Sequence, residues 1–143
     1  MTPTISGRIQ SRIIILLLVG IPWTLIASPF LPGVDGAPLW EVYKVTFRAL
    51  AVVIVVGAVV WEPIYHLLQQ FRWEKDWPIG FALLNVINEA ISTKLIMNLW
   101  TITPPWKTFL ADFIPLWILV WLFAVGPIRI FLIRYRFGGG RFR

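Results

Sequence analysis

Four apolar runs with short polar connections constrain the fold of this chain more than any other feature. The first, residues 13–31, contains nineteen residues and no charge. A helix rises about 1.5 Å per residue, so this run is long enough to cross a hydrocarbon core of about 30 Å. Arg8 and Arg12 precede the run, and Ala27 lies near its end. A signal peptide is therefore the competing interpretation.

Three further spans are predicted at residues 45–66, 79–101 and 113–133. Of the 143 residues, 58% are hydrophobic and only 14% are charged, against about 25% charged residues in soluble domains. The connections are too short for a soluble domain, and short connections make consecutive helices antiparallel neighbours. We therefore predict an all-α integral membrane protein with four transmembrane helices in a small antiparallel bundle. Residues 1–143 form a single membrane domain that includes a basic cytoplasmic tail at 134–143.

Local signals indicate where the third and fourth helices begin and end. Asp76 and Pro78 provide a capping carboxylate and a first-turn proline for the third helix. Pro104 and Pro105 are expected to stop that helix. Asp112 is the predicted cap of the fourth helix.

The distribution of basic residues predicts the orientation of the chain. Four spans place both termini on one side, which receives nine basic residues: Arg8, Arg12, Arg72, Lys75, Arg129, Arg134, Arg136, Arg141 and Arg143. The other side receives four: Lys44, Arg48, Lys94 and Lys107. Because basic residues accumulate in cytoplasmic loops, we expect an integral protein of a bacterial-type plasma membrane with both termini in the cytoplasm.

The composition also excludes several classes of chemistry. The chain has no cysteine and one histidine, which excludes disulfides, thiol catalysis and, within one subunit, a metal site made of several histidines. The sequence contains no phosphate-binding loop and no HExxH motif. The seven acidic residues form no i, i+4 carboxylate pair. We therefore expect no cofactor and no metal, and enzymatic activity is disfavoured.

The third predicted span carries an unusual set of polar residues in the segment NVINEAISTKLIMN. At helical spacing, Asn85, Asn88, Glu89, Ser92 and Thr93 lie on one face, which we call the polar stripe. An ionised group at the centre of a bilayer costs about 2.5–3.5 kcal/mol on insertion scales. The polar stripe is therefore expected to face other helices or water.

Three interpretations of the polar stripe remain open. It joins helices by hydrogen bonds within one chain or between chains, which is our preferred interpretation. Alternatively, Glu89 lines a proton or ion path with Lys94 as its counter-charge, or the polar stripe forms a pocket for a lipid headgroup or small substrate. Lys94 and Asn98, at i, i+4, form a second polar patch nearer the outer end of the helix.

Glu62 and His66 are another i, i+4 pair, near the cytoplasmic end of the second helix. Such a pair can transfer protons or orient a substrate. The simpler interpretation is a solvated helix end. Counting from the connecting loop places Glu62 and Glu89 about 9 Å apart in depth. A link between them is therefore expected to run through Asn85 or a water rather than through direct contact.

The chain ends in a segment where arginines alternate with aromatic and aliphatic residues. Arg129, Arg134, Arg136, Arg141 and Arg143 are expected to contact anionic lipid headgroups or an acidic partner protein. A nucleic-acid partner is not expected, because the segment directly follows a membrane span.

Taken together, these patterns predict a structural or accessory subunit of a membrane protein assembly. The polar third helix and the basic tail are its expected contact surfaces. Its expected partners are membrane lipids and other membrane protein chains or copies of itself. The first alternative is a small homo-oligomeric transporter or ion channel with a polar path around Glu89. A further alternative is a lipid-modifying enzyme or lipid carrier that acts near Glu62 and His66.

Overall fold

The computed structural model describes residues 4–71, 79–100 and 103–131, and these ranges contain helices and no strand. They form four helices, which we name α1 to α4. The helices are α1, Ile5–Phe30; α2, Leu39–Gln70; α3, made of Ile79–Leu84 and Val86–Leu99; and α4, Trp106–Phe131, made of Trp106–Val125 and Pro127–Phe131. The predicted helix start at Asp76 and Pro78 and the basic tail lie outside the described residues. Helices α1, α2 and α4 are long and apolar enough to cross a membrane.

Helices α1 and α2 each contain one widened, π-helical turn. These turns, Leu16–Gly20 and Gly57–Trp61, end two residues before Pro22 and Pro63, respectively. A proline lacks an N–H group, and its ring collides with the carbonyl four residues earlier. In both helices that carbonyl belongs to the widened turn, so proline accounts for the distortion.

Helix α3 changes geometry at Asn85 without losing its helical hydrogen bonds. The Asn85 backbone N–H donates to the Phe81 carbonyl at 3.1 Å, and the Glu89 N–H donates to the Asn85 carbonyl at 3.2 Å. The two segments of α3 therefore remain joined by the i to i−4 pattern of an α-helix.

The four helices form an antiparallel bundle in which consecutive helices pack against each other and α4 packs against α1. Side-chain contacts mark the four interfaces: Arg12 with Glu62, Trp61 with Ser92, Trp117 with the Ala82 carbonyl, and Trp23 with Asp112. Contacts along each pair of helices advance in opposite directions, as antiparallel packing requires: on α2 and α3, Trp61 contacts Ser92 and Tyr65 contacts Glu89.

The apolar core lies between these helices and receives side chains from all four. It contains Leu16 of α1, Leu50 and Val53 of α2, Met97 of α3, and an aromatic column on α4. In that column, Phe113 lies 5.2 Å from Phe109 and 5.8 Å from Trp117, measured between ring centroids. The rings stack along one face of α4 and fill the centre of the bundle.

Helix α4 begins earlier than the sequence signals predict. Its first residue is Trp106, after Pro105 in an extended conformation, and Asp112 lies within the helix. The prediction of a cap at Asp112 is therefore wrong. The Asp112 carboxylate instead accepts a hydrogen bond from the Trp23 indole at 2.9 Å, a contact between helices that local sequence signals do not reveal.

Close packing around Gly57 makes a testable prediction about the bundle. A Cβ atom at Gly57 would overlap the guanidinium of Arg12, whereas a Cβ atom at Gly80 would meet nothing within 4 Å. We expect Gly57→Ala to lower the free energy of unfolding by about 1–3 kcal/mol through overpacking. Unfolding of the purified protein in mixed micelles, followed by circular dichroism, measures this change.

Gly80→Ala is the matched control and is expected to leave stability unchanged or slightly raised, because alanine favours the helix. Equal unfolding free energies for the two variants would contradict the contact between Gly57 and Arg12.

Candidate functional site

The polar centre of the bundle is organised around the guanidinium of Arg12. Two of its nitrogens, Nη1 and Nη2, each donate to a Glu89 carboxylate oxygen at 2.6 Å. Its Nε donates to Glu62 Oε1 at 2.7 Å. Arg12 on α1 therefore joins a carboxylate of α2 to a carboxylate of α3, and its side chain is only 8% exposed.

Arg8 lies one helical turn before Arg12 and extends this network toward the beginning of α1. Its Nε donates to Glu62 Oε2 at 2.9 Å, and its Nη1 donates to Gln69 Oε1 at 2.8 Å. Arg8, Arg12, Glu62 and Glu89 together form what we call the charge cluster. Two positive and two negative formal charges balance within it.

Hydrogen bonds between α2 and α3 surround the charge cluster. The Tyr65 hydroxyl donates to Glu89 Oε1 at 3.3 Å and accepts from Asn88 Nδ2 at 3.4 Å. One turn away, the Trp61 indole donates to Ser92 Oγ at 3.0 Å. Three residues of the polar stripe, namely Asn88, Glu89 and Ser92, thus contact α2 within the same chain.

The burial of the charge cluster determines what it can do chemically. Glu89 is 1% exposed and Glu62 is 7% exposed. All four of their carboxylate oxygens accept hydrogen bonds from Arg8, Arg12 or Tyr65. Burying a charge is costly unless it is paired and hydrogen-bonded. Since both carboxylates are already bound, the cluster is better suited to joining three helices than to abstracting a proton from a substrate.

The structure brings together Glu62 and Glu89, which the sequence singled out separately. Their connection runs through Arg12 and not through Asn85. His66 does not join them: its Nδ1 atom is buried and has no hydrogen-bond partner among the described residues. The i, i+4 pair of Glu62 and His66 is therefore not a hydrogen-bonded pair in this structure.

Lys94 is separate from the charge cluster and lies toward the C-terminal end of α3. It is 3% exposed, and its ammonium group donates to the Pro104 carbonyl. The same group lies 5.6 Å from the Trp106 ring centroid and 5.9 Å from that of Phe109. A carbonyl and two aromatic faces stabilise a cation at this position. Glu89 therefore has Arg12, and not Lys94, as its counter-charge.

The remaining predicted site residues are dispersed. Thr93 is buried inside the bundle, Asn85 is half-buried, and Asn98 and Arg129 are exposed. Arg134, Arg136, Arg141 and Arg143 lie outside the described residues. The polar stripe is thus divided: Glu89 and Thr93 point inward, and the two asparagines lie at the edge of α3.

Sequence reasoning did not place Arg8 and Arg12 in the site, because both were assigned to the flank of the first span. A signal for their role was present. Arg8 and Arg12 are four residues apart and share a helix face with the buried Ser11 and Ile15. Two carboxylates in apolar surroundings require counter-charges, and an arginine pair on a core-facing surface meets that need.

The described residues contain no group of three or more histidine, cysteine, aspartate or glutamate side chains that could hold a metal ion. Comparison of the chain with protein-family models, curated proteins and solved structures found no match.

The shared role of Arg12 predicts strong energetic coupling with Glu89. We expect Arg12→Gln and Glu89→Gln each to lower the free energy of unfolding by about 3–5 kcal/mol, because each leaves a buried charge without its partner. We expect the double variant to lose less than the sum of the two single losses. Denaturant unfolding in mixed micelles gives all four free energies of this cycle.

The exposed ion pair of Glu41 and Lys44, with side chains 57% and 40% exposed, is the control. Its removal is expected to change stability by about 0–1 kcal/mol. Additive effects at Arg12 and Glu89 would count against a functioning ion pair between them.

Proposed function

We propose that this chain is a four-span integral membrane protein that acts as a structural or accessory subunit of a membrane assembly. The observation that carries the proposal is the distribution of polar and apolar groups. The four charges of the charge cluster are paired inside the bundle, and the exposed large side chains over the central turns of all four helices are hydrophobic. Such a molecule offers lipid and other helices a surface to pack against.

The outward face of α3 supports the proposal that α3 is also a transmembrane span. Its exposed large side chains are hydrophobic: Phe81, Leu84, Ile87, Ile91, Leu95 and Leu99. Its two charged residues, Glu89 and Lys94, are buried within the bundle. Residues 79–99 also provide enough length to cross a hydrocarbon core of about 30 Å at about 1.5 Å per residue.

The carboxylates of Glu62 and Glu89 already accept hydrogen bonds within the chain. This favours a role as a subunit over a role as a channel or as an enzyme. A pore lined by Glu89 from several copies requires that carboxylate on the outer surface of the chain, whereas it is enclosed by Arg12 and Tyr65. An enzyme acting at Glu62 requires an available oxygen, whereas both oxygens accept from arginines. A role in holding helices together uses the observed contacts without rearrangement.

The proposed orientation, with both termini in the cytoplasm, depends on fewer basic residues than the sequence suggests. Arg8 and Arg12 are paired with Glu62 and Glu89, so seven of the nine basic residues on that side remain. On the opposite side, Lys44 is paired with Glu41. The side that carries both termini therefore still has more basic residues than the opposite side, which supports the orientation.

A membrane-spanning α3 places two exposed positions, one before it and one after it, on opposite faces of the membrane. Gln70 and Lys107 are both exposed, and the absence of cysteine from the chain allows single-cysteine labelling. We expect a membrane-impermeant maleimide to label Gln70→Cys only from the cytoplasmic face and Lys107→Cys only from the opposite face. Labelling of both from one face would rule out a membrane-spanning α3.

The subunit proposal predicts the composition of the native particle. Native mass spectrometry of the tagged chain, extracted gently from its own membrane, is expected to show a complex that contains other protein chains. A ring of identical chains alone would favour the transporter or channel. Release of the chain as a lone monomer would overturn the proposal, provided that a known complex of the same membrane survives the extraction.

A further inference from the structure

A regular pattern of exposed side chains runs along the outward face of α3. Its positions are spaced alternately three and four residues apart and comprise Phe81, Leu84, Asn88, Ile91, Leu95 and Asn98. We call these six residues the outward seam. Its four hydrophobic members are 46–58% exposed, Asn98 is exposed and Asn88 is half-buried. Alternating spacing of three and four residues is the heptad pattern by which two helices pack along their length.

Asn88 occupies a central position in the outward seam and has unused hydrogen-bonding capacity. Its side-chain amide donates one bond, of 3.4 Å, to the Tyr65 hydroxyl. An asparagine amide has a second N–H and a carbonyl oxygen available for other bonds. A polar group at this position costs free energy in contact with lipid tails, which offer no hydrogen bonds.

The outward faces of the other helices carry no side-chain amide over their central turns. Their exposed side chains over the central turns are aliphatic, as at Leu18 on α1, Val59 on α2 and Ile118 on α4. Lipid tails alone can cover these faces, because their aliphatic side chains require no hydrogen bonds. Among the described helices, α3 is the one whose central outward turns carry a side-chain amide.

We propose that the outward seam of α3 packs against the same seam of a second copy of this chain, forming a two-stranded parallel coiled coil. The proposal rests on the membrane-spanning α3 of the proposed function. Two copies inserted in the same direction are related by a two-fold axis along the membrane normal, so equivalent positions face each other. Asn88 then meets Asn88 of the second copy.

An asparagine pair satisfies itself, because each amide is both a donor and an acceptor. An asparagine within an otherwise apolar stretch of a seam, as at Asn88 between Phe81 and Leu95, specifies the register and the number of strands in coiled coils. In lipid, interhelical hydrogen bonds and close packing replace the hydrophobic effect as the source of association. The aliphatic members of the seam supply the packing, and Asn88 supplies both the hydrogen bond and the register.

Disulfide crosslinking in the native membrane tests this arrangement directly. Facing seam positions bring equivalent Cα atoms to the spacing of about 4.4–6.8 Å that a disulfide requires. We expect oxidation to give covalent dimers of the full chain for Leu84→Cys, Ile91→Cys and Leu95→Cys. Their yield is expected to be at least about ten times that of the exposed controls Leu25→Cys, Val59→Cys and Ile118→Cys.

The role of the amide is tested in the background of Ile91→Cys. We expect Asn88→Ala to lower the dimer yield at least about threefold and Asn88→Gln, which keeps the amide, to restore most of it. The helical content of each variant, measured by circular dichroism after extraction, shows whether the bundle is intact. An unchanged yield in Asn88→Ala would overturn the role assigned to the amide.

The other possible occupants of the seam give different results. Absence of dimers at all three seam positions would overturn the proposal and leave lipid on this face. A crosslinked product containing a different protein would also overturn it. Native mass spectrometry separates this inference from the proposed function: a complex with other chains but one copy of this chain contradicts only the dimer, whereas a dimer without other chains contradicts only the subunit.

Discussion

The bidentate contact between Arg12 and Glu89 is the interaction on which the rest of this bundle depends. Arg12 also binds Glu62, so one guanidinium on α1 determines the positions of α2 and α3 relative to each other. Space for this guanidinium exists because Gly57 has no side chain. The widened turn that begins at Gly57 precedes Pro63 and directly adjoins Glu62. Backbone distortion and charge pairing therefore occur at one level of the bundle.

Inward pairing of the charges separates two surfaces with different chemistry. Inside, Glu62 and Glu89 are occupied by arginines, and Lys94 is covered by a carbonyl and two aromatic rings. Outside, the central turns of the helices present aliphatic side chains, and Asn88 interrupts the outward seam of α3. This separation supports a role in which the chain associates with other helices. It also makes the half-buried amide of Asn88, rather than the buried carboxylates, the group available to a neighbouring chain.

The helical class was predictable because it follows from hydropathy and helical period, which are local properties. Three predicted spans correspond to helices long and apolar enough to cross a membrane, and the span at residues 79–101 stays a prediction. The beginning of α4 was not predictable in this way. Asp112 has the chemistry of a cap, but its carboxylate binds Trp23, 89 positions away in the sequence. A local signal cannot distinguish a cap from a tertiary contact made by the same side chain.

The sequence by itself determined that this chain is helical and apolar, and that Glu62 and Glu89 need polar partners. Only the tertiary structure decided that Arg12 is their common partner and that Lys94 is not. The separations of 50 and 77 positions between Arg12 and the two glutamates explain why. Pairing over such separations depends on the rotation and depth of each helix, and the widened turns before Pro22 and Pro63 alter both. Helical periodicity describes one helix at a time, so it cannot predict how three helices are placed relative to one another.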